Sequence, residues 1–221
     1  MIDGILGGLA IGLGTVAYMI TYNGTEMSAL IATLCFAIIM MAIPFYKLDF
    51  FLGRPGILSD KDNNPIDNLI VLAGNTIGVT WIALLLKLFP EYHTKIQTYA
   101  HYTLEHLHGY TWDTVFILSI FAGMMLYAGA MATTKGATIF YFGLVVFVTC
   151  YAQWPILHLI IFCLWSDTWL DYWYLLIPTT LGNVVGVNLW IMLRKHSPTY
   201  QNAKYVTRER ADIADKFHSF V

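Results

Sequence analysis

Long apolar runs separated by short polar stretches dominate the chain. Six of these runs contain no Asp, Glu, Lys or Arg, and each is close to or above the roughly 20 residues that a helix rising about 1.5 Å per residue needs to cross a bilayer. They are residues 4–25, 27–46, 68–86, 114–134, 136–166 and 172–193. The pattern therefore predicts an all-α membrane protein with six transmembrane helices.

The composition supports the same class. Of the 221 residues, 57% are hydrophobic and 12% are charged, and the mean hydropathy is +0.60. A soluble core of this length could not bury so much apolar surface, so we expect the lipid bilayer to cover it. The first run has no basic start and no small-residue cleavage site, which favours a retained span over a signal peptide. Cysteines 35, 150 and 163 lie inside apolar runs and indicate packing residues, not a disulfide framework.

The basic residues predict the orientation. With six spans, only Lys87 and Lys95 fall on one side. The other side carries nine basic residues: Arg54, Lys61, Lys135, Arg194, Lys195, Lys204, Arg208, Arg210 and Lys216. By the positive-inside rule, both termini are predicted to be cytoplasmic and residues 90–113 to face outward. We expect a multi-pass protein of the cell (inner) membrane.

A short pattern occurs twice and predicts an internal repeat. Residues 74–79, Gly-Asn-Thr-Ile-Gly-Val, return as residues 182–187, Gly-Asn-Val-Val-Gly-Val. Three spans in each half reverse the direction of entry, so the halves, about 3–89 and 111–195, are predicted to be inverted three-helix repeats. Such an arrangement places a permeation or substrate site near the midplane, between the halves.

The repeated residues have two interpretations. The glycine pairs Gly74/Gly78 and Gly182/Gly186 let helix backbones approach closely, which indicates packing between helices. An amide in hydrocarbon needs hydrogen-bond partners, so Asn75 and Asn183 either tie helices together or line a pore. We favour the first role for both.

Prolines in equivalent runs predict that the second and fifth helices are broken. Pro44 and Pro155 each remove a helix hydrogen bond. Irregular backbone at membrane depth persists only where it is buried in protein or lines a cavity. Residues 45–53 are too polar for lipid and too apolar for an ordinary loop, so we predict a re-entrant loop after Pro44.

Residues 177–186, Ile-Pro-Thr-Thr-Leu-Gly-Asn-Val-Val-Gly, resemble the last helix of the formate/nitrite transporter family. The glycine-rich start at residues 3–8 is similar to the first span of that family, and span order and loop lengths agree to about Lys195. The resemblance implies an aquaporin-like fold, a homopentamer with one pore per subunit, and passage of small monovalent anions or their weak acids. On this interpretation residues 1–196 form one transmembrane channel domain, and 197–221 form a cytoplasmic C-terminal tail.

The same resemblance implies positions for the pore. The re-entrant loop motif of the family falls on residues 49–52, where Leu52 replaces the pore threonine. The central pore histidine of the family aligns with Trp154, and an asparagine four residues later aligns with His158. We expect Phe50, Leu52 and Phe147 to form the pore constriction, because apolar rings pass a neutral acid or a dehydrated anion more readily than hydrated ions.

Ionisable residues near this pathway are further candidates. His158 is either a proton-exchanging group of the central pore or a neutral histidine bonded to a backbone carbonyl that Pro155 frees. Lys47 either attracts anions or pairs with Asp49 inside the loop. The predicted outward-facing connection contains four histidines: His93, His101, His106 and His108. They either draw anions into an outer vestibule or form part of a zinc site, and we favour the vestibule.

The sequence thus predicts a membrane channel or transporter for formate, nitrite or a similar anion. We expect no enzyme activity, no metal, no cofactor and no nucleic-acid partner. Two alternatives stay open. One is a non-conducting structural homologue whose pore is plugged by Trp154 and Leu52. The other is a haem-binding membrane oxidoreductase subunit, which would need facing histidines on two spans, whereas His158 is the one histidine in mid-membrane.

Overall fold

A computed structural model of the chain describes residues 1–51, 65–133, 136, 138–151, 160, 164–165 and 173–196. This part of the chain is helical, and no strand occurs in it. The helices are α1 (Ile2–Thr21), α2 (Glu26–Met40), α3 (Ala42–Phe45), α4 (Pro65–Leu86), α5 (Pro90–His108), α6 (Trp112–Thr133), α7 (Thr138–Tyr151) and α8 (Leu176–Lys195). A 3₁₀ turn, Trp173–Leu175, leads into α8.

Five helical stretches in the described residues are long and apolar enough to cross a membrane. They are Ile2–Thr21, Glu26–Phe45, Ile66–Leu86, Trp112–Thr133 and Leu176–Lys195. These stretches correspond to five of the six predicted spans, so the prediction of an all-helical membrane protein is confirmed. The predicted span at 136–166 is described as a continuous helix over Thr138–Tyr151.

The first two helices are separated by a tight turn whose residues explain its position. Gly24 has a φ of +89°, a conformation that costs glycine little. Thr25 then caps α2, because its side chain accepts a hydrogen bond from the Ser28 N–H at 3.2 Å while the Ser28 hydroxyl accepts one from the Thr25 N–H at 3.3 Å. This reciprocal pair is a capping box, which satisfies backbone donors that a helix start leaves free.

The second span has a local irregularity close to its predicted proline. α2 ends at Met40, and the single residue Met41 separates it from the four residues of α3, which contain Pro44. The chain then leaves the helix through Lys47, whose φ of 55° lies in the left-handed region. A non-glycine residue rarely adopts this conformation, so the turn is a strained point that the surrounding contacts must hold.

Helix α5 was not predicted from the sequence, where residues 90–113 were interpreted as an outward-facing connection. The helix begins with Pro90 at a position where its missing N–H costs nothing. It buries a stripe of residues with helical spacing: Ile96, Ala100, Thr103 and Leu104. Since its other residues are mainly polar, α5 is an amphipathic helix that packs one face on the bundle, where it contacts α1.

The helices pack in two similar groups. The most extensive contacts join α1 with α4 and α6 with α8, while α2 packs beside α1 and α7 packs beside α6. Contacts between α2 and α7 join the two groups. The loop that follows α3 reaches this bundle, where Phe50 and Phe51 are 5% and 6% exposed.

Candidate functional site

The loop after α3 is held by one side chain at the middle of α4. Asn75 is fully buried, and its Oδ1 accepts a hydrogen bond from the Phe51 N–H at 2.9 Å. Its Nδ2 donates to the Asp49 carbonyl at 2.9 Å and to the Gly4 carbonyl at 2.6 Å. One amide thereby satisfies three backbone groups, two in the loop and one in α1. Asn75 fixes the non-helical backbone of the loop against two helices.

Asn183 has the corresponding environment in the second group of helices. It is fully buried in α8, and its Nδ2 donates to the Ser119 carbonyl of α6 at 2.9 Å. Asn75 makes the same type of bond from α4 to the Gly4 carbonyl of α1. Each repeated asparagine therefore bonds a backbone carbonyl of the helix that packs most extensively on its own.

The repeated glycines lie where these helix pairs come closest. A Cβ at Gly78 would collide with the Ile5 carbonyl, and a Cβ at Gly186 would collide with the Ile120 carbonyl. Across the same contacts, a Cβ at Gly8 would lie 2.8 Å from Cα of Asn75, and a Cβ at Gly123 would lie 2.9 Å from Cα of Asn183. Real Cβ atoms do not approach other atoms so closely, so both pairs of helices require glycine at these positions.

The loop after α3 also borders a cavity of about 390 Å³, which we call the loop cavity. It lies between this loop and the adjoining ends of α6 and α7. Its lining residues are Ile43, Pro44, Phe45, Lys47, Leu48, Asp49, Phe50, Ala130, Thr133, Thr138 and Tyr141. The wall is mainly apolar with a few polar groups, which is typical of sites for small molecules.

Three residues predicted from the sequence meet in the loop cavity. Phe50 lines it with a buried side chain, and Lys47 lines it with an exposed one. Asp49 lines it as well, while its backbone carbonyl is held by Asn75. The loop after α3 thus brings a lysine, an aspartate and a phenylalanine to the wall of one cavity.

Tyr141 is a lining residue that sequence reasoning missed. Its side chain is 1% exposed and packs beside Gly129, where an added Cβ would lie 3.0 Å from the Tyr141 ring. The Tyr141 hydroxyl has no hydrogen-bond partner within the described part of the chain. No motif marks this residue in the sequence, since a tyrosine in an apolar run is typical of ordinary packing.

On the face formed by α5 and the turn after α1, tyrosines cluster. The Tyr99 ring lies 5.6 Å from the Tyr18 ring and 5.1 Å from the Tyr22 ring, measured between centroids. Burial raises the pKa of the Tyr99 phenol, and the neighbouring Tyr18 raises it further, so Tyr99 stays neutral at physiological pH. Lys95 donates to the Ile20 carbonyl at the end of α1, where a cation is favourable. These contacts dock α5 on the bundle.

A second cluster surrounds Trp165, which is 2% exposed. The His93 ring meets its indole edge to face with centroids 5.2 Å apart, and Lys87 Nζ lies 5.8 Å from the indole centroid. On α5, His101 Nε2 and Glu105 Oε1 lie 3.1 Å apart, and both side chains are well exposed. Within the described residues, no three potential metal ligands come together, so the zinc alternative gains no support there.

Several predicted site residues cannot be placed. Leu52, Trp154 and His158 lie outside the described residues, as does Pro155. The backbones of His106, His108 and Phe147 are helical, but their side chains also lie outside the described part. The structure thus brings together Lys47, Phe50 and Asn75 around the loop, and leaves the predicted central pore and the second constriction residues untested.

No family model matches the sequence, and no curated protein matches it. Among solved structures, the fold is similar to that of a protein described as a pentameric formate channel with formate bound. The two are 18% identical with a TM-score of 0.69, and the match covers 87% of this chain and 93% of that one. The resemblance to the formate/nitrite transporter family that the sequence predicted is confirmed at the level of the fold.

Proposed function

We propose that the chain is a subunit of a membrane channel or transporter for small monovalent anions or their weak acids, such as formate or nitrite. The observation that carries the proposal is the loop of residues 48–50, which has no helical structure, reaches the interior of a bundle of apolar helices and borders a cavity. Non-helical backbone is costly at membrane depth unless it serves a pathway or is buried in protein. The fold shared with a formate channel supports an anion as the transported species.

The proposed architecture has six spans in two inverted halves, about 3–89 and 111–195. The matching contacts of Asn75 with Gly4 and of Asn183 with Ser119 support an internal repeat. We further propose that residues 1–196 form the channel domain and that the protein lies in the cell (inner) membrane. Both termini, including the 197–221 tail, then face the cytoplasm. The distribution of basic residues supports this orientation.

Within this architecture, the loop cavity is the cytoplasmic mouth of the pathway. Phe50 closes its inner end together with Leu52 and Phe147, and Lys47 attracts anions to it. Trp154 and His158 occupy the central pore, and His106 and His108 attract anions on the outer side. The buried side chain of Phe50 beside a cavity that also contains an exposed lysine supports this assignment.

We propose a homopentamer as the functional assembly, by analogy with the pentameric formate channel that shares the fold. Large apolar side chains on both transmembrane groups, including Trp81 at 60% and Phe121 at 51% exposure, leave surface for lipid and for neighbouring subunits. Native mass spectrometry of the purified protein is expected to give a pentamer. A stable monomer or dimer would contradict this assembly.

The function is tested by stopped-flow uptake in proteoliposomes. Formate, nitrite, hydrosulfide and acetate are offered at two pH values, and empty liposomes serve as the control. We expect formate and nitrite uptake well above the control, with acetate slower because the apolar constriction excludes the larger anion. If no substrate enters faster than into empty liposomes, the chain is instead a non-conducting homologue with a plugged pore.

A further inference from the structure

A second cavity lies at the end of the bundle where α1 turns into α2. It has a volume of about 710 Å³ and is formed by this turn and one side of α5. Such a volume is typical of small-molecule sites. We call it the tyrosine pocket, because Tyr22, Tyr99 and Tyr102 are among the residues that line it. Since α2 runs from this turn toward the loop after α3, the tyrosine pocket and the loop cavity lie at opposite ends of α2.

The packing of α1 on α4 sets the depth of the tyrosine pocket in the membrane. Gly4 lies against Gly74 and Gly12 lies against Ile82, so the two helices run in the same direction. Their last residues therefore lie at the same end of the bundle, where α5 begins after residues 87–89. Because both helices are long enough to cross the hydrocarbon core, the pocket lies at one membrane surface, at the level of the lipid headgroups.

Exposed aromatic side chains at the same end support this depth. Tyr92 lies in the first turn of α5, and Tyr110 and Trp112 lie where the chain enters α6. All three side chains are exposed. Tyrosine and tryptophan are enriched at the membrane–water interface, because one part of each ring system is apolar and the other is polar. The tyrosine pocket thus opens within a belt of residues suited to the headgroup layer.

The wall of the tyrosine pocket carries one charge of each sign. Glu91 and Lys95 both line it with exposed side chains, and positions four apart on a helix have Cβ atoms about 5–6 Å apart. Lys95 donates to the Ile20 carbonyl, but an ammonium group has three donors and can also bind an anionic oxygen. Asn23 lines the pocket as well, and its Oδ1 accepts from the Thr25 N–H at 3.3 Å, which directs its Nδ2 donors elsewhere.

These groups define the ligand that complements the pocket. The amine of Lys95 and the amide of Asn23 favour a phosphate, which accepts hydrogen bonds strongly. The carboxylate of Glu91 and the exposed ring of Tyr102 favour an ammonium group, through its charge and through a cation–π contact. A neutral polyol would use neither charge, and a simple anion or cation would be opposed by one of them. The complementary ligand is therefore a zwitterion.

We propose that the tyrosine pocket binds the headgroup of a zwitterionic phospholipid, in which a short carbon chain joins a phosphate to an ammonium group. The phosphate lies at Lys95 and Asn23, the ammonium group lies at Glu91 and Tyr102, and the acyl chains remain in the bilayer. A lipid bound in this way joins the turn after α1 to α5. The site is separate from the proposed anion pathway, and its existence does not depend on transport.

The experiment measures lipid binding to the purified, delipidated protein by native mass spectrometry. Phosphatidylethanolamine and phosphatidylglycerol with identical acyl chains are titrated in detergent. Both contain the phosphate, but phosphatidylglycerol has a glycerol in place of the ammonium group. The parent should bind phosphatidylethanolamine about fivefold more tightly, the factor that corresponds to about 1 kcal/mol for one exposed ionic contact. Equal affinity for the two lipids would refute the site.

Glu91→Gln removes the carboxylate and keeps the size of the side chain. Its affinity for phosphatidylethanolamine should fall about fivefold, to the level of phosphatidylglycerol. Glu105→Gln is the matched control, because Glu105 is an exposed carboxylate of α5 that contacts His101 and is not among the residues that line the pocket. It should bind both lipids as the parent does. If the two variants weaken the binding of phosphatidylethanolamine equally, the effect is one of general surface charge and the proposal fails.

Tyr102→Leu tests the aromatic contact in the same way, with Tyr92→Leu as its control. Tyr102 lines the pocket, whereas Tyr92 is an exposed tyrosine of the same helix that is not among the lining residues. Tyr102→Leu should weaken the binding of phosphatidylethanolamine and leave that of phosphatidylglycerol unchanged, because the ring contacts the ammonium group. Equal losses for both lipids would remove Tyr102 from the site.

A soluble headgroup distinguishes a membrane lipid from a free solute. Glycerophosphoethanolamine carries the same phosphate and ammonium groups without acyl chains. It should displace phosphatidylethanolamine only at a concentration far above that of the lipid, because the acyl chains keep the lipid at the headgroup layer. Displacement at equal concentration would overturn the lipid assignment in favour of a soluble zwitterion. Since none of these measurements involves flux, a parent that fails to conduct in liposomes would leave their outcome unchanged.

Discussion

Replacing Asn75 with alanine should release the loop after α3 from the helix bundle. Asn75 makes three hydrogen bonds, to the Phe51 N–H and to the carbonyls of Asp49 and Gly4, and it is fully buried. A typical hydrogen bond contributes about 1 kcal/mol net, and two of the three bonds hold the loop, so the closed loop should be destabilised by about 2 kcal/mol. At about 1.4 kcal/mol per factor of ten, the open loop should become roughly thirtyfold more populated.

The Phe51 amide reports this change directly, because its hydrogen is the one donated to Asn75. Hydrogen exchange can be measured by mass spectrometry on the protein in lipid nanodiscs. Where local opening controls exchange, the peptide that contains Phe51 should exchange roughly thirtyfold faster in Asn75→Ala than in the parent. The melting temperature should fall as well, since three backbone groups lose their buried partner.

Asn183→Ala is the control for a general loosening of the bundle. Asn183 is buried in the same way, but its Nδ2 donates to the Ser119 carbonyl and so joins α8 to α6. It should lower the melting temperature and leave the exchange of the Phe51 amide unchanged. If Asn75→Ala exchanges at the parental rate at Phe51, other contacts hold the loop, and Asn75 serves only to join α4 to α1.

Three further changes test other parts of the structure. Gly8→Ala and Gly123→Ala should each destabilise the fold by at least about 1–3 kcal/mol in thermal unfolding, because the added methyl overlaps backbone across a helix contact. Gly143→Ala is the control, because a Cβ there meets nothing within 4 Å, and it should be neutral or stabilising by up to about 1 kcal/mol. Phe50→Ala should admit acetate at a rate closer to that of formate in the liposome assay, and unchanged discrimination would remove Phe50 from the constriction. His158→Phe should lower weak-acid flux and abolish its pH dependence in the histidine range, whereas a parental pH profile would make His158 structural.

Much of the fold follows from local sequence patterns. A charge-free run of about 20 apolar residues can satisfy its backbone in lipid only as a helix, so five spans were predicted close to their observed bounds. Pro44 removes a donor at a definite position, and α2 ends at Met40, four residues before it. The repeated Gly-Asn-x-x-Gly pattern was visible because it requires particular side chains. The amphipathic α5 was missed because its apolar stripe is narrow within a polar, aromatic stretch.

Contacts with backbone atoms were decided only by the tertiary structure. Asn75 was recognised as needing partners, but those partners are carbonyls and an amide, and any residue provides such groups. Nothing in the residue type of Gly4, 71 positions away, marks its carbonyl as the acceptor. The Tyr141 hydroxyl shows the same limit in reverse, since a tyrosine in an apolar helix is a signal only once its surroundings are known. Sequence determines which groups must be satisfied, because polarity is a property of the residue. The structure decides which atoms satisfy them, because that depends on which distant segments the packing brings together.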